Sequence, residues 1–242
     1  MNYFTYNGIS SADMGVRIQA KDVYSAPKYA LSVVSIPGRD GELILPDGRF
    51  PNATVSYTCF VPAKSIAELS DKLTAIKGWL YTEPDRYHVL TDTYDTTFYR
   101  KAVINNKLDI ADQCKRIGIF TITFTAYPFR YSYEGQRKTT YTQTFTLNNP
   151  YPFVPKPYIK LNGRGEGSLV IQSVSSNKIW QFSTLNGYTE VDSEQMNFYH
   201  ETVSKNDSVK GDGFPLLYPG ENVISFDGGI TSVEIIPRFM SL

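Results

Sequence analysis

Residues 117–126, Ile-Gly-Ile-Phe-Thr-Ile-Thr-Phe-Thr-Ala, alternate in character over the whole stretch. Phe120, Ile122, Phe124 and Ala126 fall on one side, and Ile119, Thr121, Thr123 and Thr125 on the other. A period of two sends successive side chains to opposite faces of a strand, so this stretch requires a sheet with one apolar face. The 18 Tyr and 14 Phe of the 242-residue chain suit the same architecture, because aromatic rings pack well across pleated strands. Further strands are predicted at 3–6, 15–19, 30–36, 42–45, 53–61, 86–91, 97–105 and 139–147, separated by Gly, Pro, Asn and Asp turn chemistry. One segment departs from this pattern. Ile66, Leu69, Leu73, Ile76, Trp79 and Leu80 follow a 3.6-residue period, with Ser65 and Glu68 spaced as a capping box and Gly78 and Pro84 at the exit. The spacing predicts a helix at about 65–80 in a mainly β chain.

Pro150, Pro152, Pro155 and Pro157 remove backbone donors and favour a stiff extended connector, which predicts a domain border over 148–157. The expected division is 1–147, a proline-rich linker at 148–157, and 158–242. Beyond the prolines no helical period appears. Short strands are predicted at 157–162, 167–173, 177–182, 187–192, 196–200, 222–227 and 230–237, at the spacing of a β-sandwich.

Charge and cysteine content narrow the functional classes. The 24 Lys+Arg cancel the 24 Asp+Glu, which leaves no summed field to hold a polyanion. Cys59 and Cys114 have no partner at zinc or dithiol spacing, so no metal or cofactor is expected. No basic segment followed by an apolar stretch opens the chain, and no run approaches the roughly 20 apolar residues of a membrane span. These features predict folding in a cytoplasm without membrane insertion. The sequons at Asn52 and Asn206 then read as chance matches.

Gly163-Arg164-Gly165-Glu166-Gly167 invites a phosphate cradle, but the residues that follow read as strand rather than helix, so a β-turn is expected. His88 and His200 have no second imidazole at ligand spacing, and no nucleophile elbow accompanies them. The carboxylate pairs Asp92 with Asp95 and Asp192 with Glu194 have the composition of a glycosidase site. Such pairs are also expected by chance among 24 acids, and the chain is read as non-enzymatic.

Phe4-Thr5-Tyr6-Asn7-Gly8-Ile9-Ser10-Ser11 and Ile36-Pro37-Gly38-Arg39-Asp40-Gly41 resemble the opening of siphophage distal tail proteins. The helix ending in Trp79-Leu80, then Tyr99-Arg100-Lys101-Ala102, Phe120-Thr121-Ile122-Thr123-Phe124 and Tyr127-Pro128-Phe129-Arg130-Tyr131 follow in that family's order. So do Glu190-Val191-Asp192-Ser193, Phe214-Pro215-Leu216, Pro219-Gly220-Glu221-Asn222 and Ile236-Pro237-Arg238-Phe239. The resemblance implies a tail-tube-like N-terminal domain and a C-terminal sandwich similar to galectins or carbohydrate-binding modules. It also implies a homo-hexameric ring in the virion, placed between the tail-tube protein and the tail-tip proteins (tail-associated lysin or fibre, receptor-binding protein). The genome DNA would pass through the lumen without specific binding.

Closing a ring requires a heterologous interface, which an arm laid on the next subunit supplies. The turn-rich segment at about 28–57 is the candidate arm, centred on Val34, Ile36, Pro37, Gly38, Arg39, Asp40, Gly41 and Leu43. Two alternatives carry different residues. A sugar-binding module would stack its ligand on Trp180, Tyr188, Phe198 or Tyr199, and a cell-wall hydrolase would use the carboxylates.

Overall fold

The computed structural model describes residues 2–242, and its contacts divide the chain into two compact units. The first runs to Arg130 and includes Leu242; the second is Tyr131–Ser241. The described residues are mainly β with one α-helix.

In the first unit, β1 (Phe4–Tyr6), β2 (Ile9–Ser10) and β3 (Arg17–Asp22) precede a separate hairpin of β4 (Leu31–Ser35) and β5 (Glu42–Pro46). Then follow β6 (Ala53–Pro62), α1 (Ile66–Leu80), β7 (His88–Asp92), β8 (Asp95–Val103), β9 (Ile110–Gln113) and β10 (Ile117–Ala126). The sheet order is β2-β1-β7-β8-β10-β6-β3, with β9 also on β10. β10 occupies the residues that the alternation predicts, and it pairs along its whole length with β6, from Ile117↔Pro62 to Ala126↔Ala53. That register places Val55, Tyr57, Cys59 and Val61 beside Phe120, Ile122 and Phe124 on one buried face.

Helix α1 covers this core. Leu69, Ile76, Trp79 and Leu80 point inward, and the Trp79 indole donates to the Tyr6 carbonyl at 3.0 Å. The cap forms as expected at Ser65, whose Oγ accepts from the Glu68 amide at 3.2 Å. The reciprocal bond shifts by one residue, since Glu68 accepts from the Lys64 amide at 2.8 Å rather than from Ser65. Phe4, Tyr6, Tyr57, Trp79 and Phe124 form the centre of the core, with Phe4 and Tyr57 stacked at 4.5 Å.

The second unit contains β11 (Arg130–Ser132, from its second residue on), β12 (Thr139–Tyr141), β13 (Phe145–Asn149), β14 (Tyr158–Ser173), β15 (Asn177–Asp192), β16 (Asn197–His200), β17 (Val203–Ser204), β18 (Val209–Gly211), β19 (Gly220–Ile236) and β20 (Met240–Ser241). The main sheet runs β12-β19-β14-β15-β16-β17, with β13 on β19 and β18 on β15. Six of the short strands predicted after the prolines are halves of three long ones, β14, β15 and β19. Each long strand passes through a register irregularity or a glycine near its middle.

The expected turn at Gly163–Gly167 is therefore a bend inside β14. A Cβ at Gly163 would lie 2.1 Å from the Gly229 carbonyl oxygen, and one at Gly229 only 1.8 Å from that of Arg164. Only glycine lets two backbones approach so closely, and the pairing register shifts at this point in β14. Ile159, Leu161 and Val191 on one side of the bend share a core with Leu169, Ile171, Trp180 and Phe182 on the other.

The domain border is corrected by these pairings. Thr139–Tyr141 pairs with Val233–Ile235, and Phe145–Asn149 pairs with Gly220–Ile224. The division falls at 130/131 and not at 148–157, so the prolines lie within the second unit. Proline lacks a donor but keeps its carbonyl. Pro155 accepts from the Leu217 amide at 3.4 Å, Pro157 from Ser193 at 3.2 Å, and Asn149 Nδ2 donates to Phe153 and Leu217 carbonyls at 2.9 and 3.2 Å. The segment is a strap fastened along its own unit.

Candidate functional site

The candidate arm folds as the hairpin β4–β5, a two-stranded sheet of its own. Val33 pairs with Ile44, Val34 with Leu43, and Leu31 with Pro46. Paired residues share a face, so Leu31, Val33 and Ile44 occupy one side and Val34, Leu43 and Leu45 the other. Both sides are exposed: Val33 is 51%, Ile44 60%, Val34 43% and Leu45 47% accessible. A solvated hairpin normally offers water a polar face. A two-stranded hairpin without a covered face is marginal by itself, and apolar side chains on both faces are the pattern of a strand meant for burial.

The hairpin's tip and root are well defined. Arg39 N donates to Ile36 O at 3.2 Å across Pro37 and Gly38, and Gly38 has φ +77°. This is a type II turn, with proline presetting its first corner and glycine supplying the positive φ of its second. Asp40 and Gly41 complete the loop before the Ser35↔Glu42 pair. At the root, Ala30 N donates to Arg49 O at 3.1 Å, and Tyr29, Phe50 and Phe129 form a chain of edge-on rings at 4.9 and 5.7 Å.

The carboxylate pairs are bound into local structure. Asp92 Oδ1 accepts from the amides of Tyr94 and Asp95 at 2.8 and 3.0 Å, which makes it a turn cap, while Oδ2 accepts from Tyr57 Oη at 2.8 Å. Burial, then the Asp92 charge, pushes the Tyr57 hydroxyl well above its usual range. Asp95 pairs with Arg130 at 2.8 Å. Burial and the Arg130 charge lower the pKa of Arg100, whose Nη2 donates to Val23 O at 2.7 Å. The cavity among these residues measures about 20 Å³, room for one water and not for a sugar ring.

Asp192 is held by both arms of the Arg238 guanidinium, at 2.7 and 2.9 Å, and its Oδ1 caps the amides of Glu194 and Gln195. Burial opposes its ionisation, but the Arg238 hydrogen bonds and charge prevail and lower the Asp192 pKa. His88 lies edge-on to Tyr6 in the first unit, and His200 contacts the Tyr188 carbonyl through Nδ1 in the second. Burial pushes the Cys59 thiol up to about 12, while Cys114 is exposed.

The aromatic candidates separate into two kinds. Trp180 is 1% exposed and donates its indole N–H to Gly213 O at 2.8 Å; Phe198 is 4% exposed and stacks on Phe214 at 5.1 Å. Both are core residues, which corrects their reading as sugar platforms: Trp180 and Phe198 occur at positions of β15 and β16 whose side chains face inward. Tyr188 and Tyr199 are half-buried on the opposite side. There the Lys160 ammonium sits 3.9 Å from the Tyr188 ring centre and His200 at 4.3 Å, while Tyr158 Oη donates to Glu190. Lys160 and Tyr158 were not identified from sequence, because their contacts cross strand registers that periodicity cannot supply.

No protein-family model matches the chain, and no curated protein sequence does. Among solved structures, the Dit protein of phage SPP1 aligns over 100% of both chains with a TM-score of 0.77 at 15% identity. That protein is described as a paradigm of the hub adsorption apparatus in phages infecting Gram-positive hosts. A chain of the phage P2 baseplate in its activated conformation covers 97% of both chains at 6% identity, with a TM-score of 0.46. From end to end, the chain has the fold of the SPP1 Dit protein.

Proposed function

We propose that this chain is a structural subunit of a siphophage tail tip, of the distal tail type. In this reading it closes into a homo-hexameric ring that joins the tail-tube protein to the tail-tip and host-adhesion proteins. Units 1 and 2 divide the work: the first forms the ring, and the second is a galectin-like peripheral domain. The protein is made in the cytoplasm of the bacterial host, carries no catalytic centre or cofactor, and encloses a lumen for the genome. The observation that carries the reading is the β4–β5 hairpin, apolar on both faces and rooted by Tyr29, Phe50 and Phe129, within a fold shared over its whole length with a phage hub protein.

A hairpin laid on the next subunit buries apolar side chains and gives the head-to-tail contact that a closed ring needs. Native mass spectrometry and negative-stain microscopy test the reading. Six-fold rings are expected from the intact chain, and monomers from a variant lacking residues 35–48. Hexamers formed by that variant would rule out the arm. The sugar-binding alternative now rests on Tyr188 and Tyr199 alone, and glycan-array binding by the whole chain tests it.

A further inference from the structure

Three exposed apolar side chains of the first unit, outside the hairpin, lie together: Tyr87 is 39%, Val89 50% and Tyr127 37% accessible. The Tyr87 and Tyr127 rings meet at 4.5 Å, and Val89 pairs with Lys101 across β7 and β8. Lys101 ties the group together, since its carbonyl accepts from the Tyr127 amide at 2.8 Å and its ammonium stands 5.8 Å from the Tyr127 ring centre. Asn52 Nδ2 donates to Tyr87 Oη at 2.7 Å and holds that ring from the segment leading into β6. The result is a small aromatic shelf with a cation at its margin. Stacked tyrosines around an aliphatic residue have the composition of the centre of a protein interface. Rings already held by neighbours also lose little freedom when a partner covers them.

The hairpin β4–β5 presents the complement. One of its sides carries Leu31, Val33 and Ile44, and the Ser35↔Glu42 pair places Glu42 on that same side, at the end next to the turn. Glu42 is the one charged residue among the ten strand residues of the hairpin. Three apolar side chains and a carboxylate therefore match three apolar side chains and an ammonium. Opposite charges at the margin of an apolar contact fix its register more than its strength. The shelf is also continuous with the hairpin's root, because Asn52 and Tyr127 lie two residues from Phe50 and Phe129, whose rings meet there. Within one chain the shelf and the hairpin are both exposed, so they do not cover each other; between copies they can, head to tail. Resting on the ring reading above, we infer that the Tyr87–Val89–Tyr127 shelf is the seat of the neighbouring subunit's hairpin, with Glu42 of one copy set against Lys101 of the next.

Exchanging the two charges tests this, with native mass spectrometry over a concentration series as the readout. Glu42→Lys and Lys101→Glu each set like charges against one another, and each is expected to raise the concentration needed for half-assembly by roughly tenfold or more. The Glu42→Lys/Lys101→Glu variant restores an opposite pair and should recover most of that loss, which two independent surface changes would not do. Tyr87→Ala/Tyr127→Ala removes the rings and should leave folded monomers. Hexamers that form as well as wild type from either single charge variant or from the tyrosine variant would overturn the seat, as would a double variant no better than the worse single one. If those same hexamers are still lost on deletion of residues 35–48, the ring reading stands and only the shelf is wrong. Absence of hexamers in the wild type would instead remove the ring reading and this inference with it. Circular dichroism shows whether each variant is folded; Val89→Asp, at a half-exposed position, repeats the test should the tyrosine variant unfold.

Discussion

The hairpin β4–β5 and the long hairpin β14–β15 use the same local vocabulary, two antiparallel strands of β-branched and aromatic residues joined through turn residues, yet their surroundings differ completely. β14–β15 buries Ile159, Leu161, Leu169, Trp180 and Val191 in its own unit's core, while β4–β5 leaves every one of its ten strand residues exposed. Strand propensity thus reports that a segment pairs, not what covers it. In β14–β15 the cover is supplied in cis, by the same chain bent through its glycines. In β4–β5 nothing in the described residues supplies it, and the proposed cover is another subunit.

The sharpest way to break this comparison is to charge the hairpin. Val34→Asp/Ile44→Asp places one carboxylate on each face, and assembly is expected to fall from hexamer to monomer by native mass. The monomer's unfolding midpoint should move by no more than the ~0.5 kcal/mol usual for surface changes. A large loss of monomer stability would mean that the hairpin is covered in cis after all. Trp180→Ala is the converse test in β15. It removes a fully buried indole and its bond to Gly213, and should destabilise the protein by about 3–5 kcal/mol in chemical denaturation.

A smaller effect is expected at Asp192. Asp192→Asn leaves Arg238 without its bidentate partner, at a cost of about 2–3 kcal/mol, below the range for fully buried pairs because Arg238 keeps some solvent contact. Its pKa when folded is lowered from an unfolded value of about 3.9, so the pair stabilises fully above that value and is lost as pH falls through the folded pKa. The Asn variant should therefore lose less stability than wild type between about pH 5 and pH 2 in acid titrations of the unfolding midpoint. The smallest effect belongs to the helix cap: Ser65→Ala removes one acceptor and should cost about 1 kcal/mol in the first unit's thermal or urea transition.

Legibility followed the range of the interaction that each residue makes. The ends of β10, the α1 cap at Ser65, the extents of β4 and β5, and the turn at Pro37-Gly38 depend on neighbours a few residues away, and all are visible in the amino-acid order. The structural partners of Asp92 and Asp192, which the sequence could only weigh as chance carboxylate pairs, are Tyr57 and Arg238, 35 and 46 residues away. Trp180 and Phe198 looked available for sugar because alternation shows that a strand has two faces without saying which one meets the core. The border was misplaced for a related reason. Proline limits the backbone locally, but 131–157 joins the second unit through β12 and β13 pairing with β19, more than 70 residues further on.

Local order therefore specified a mainly β chain with one capped helix, a turn-rich reversing segment at about 28–57, and an alternating strand at 117–126. Pairing between distant strands then set the border at 130/131, turned six expected short strands into three bent ones, withdrew Trp180 and Phe198 into the core, and brought Thr54, Ser56 and Thr58 beside Thr121, Thr123 and Thr125. The physical reason is the same in each case. Propensity and turn chemistry act through torsions and hydrogen bonds within a few residues, whereas burial depends on which strand is the neighbour, and that choice is made by the packing of the whole unit.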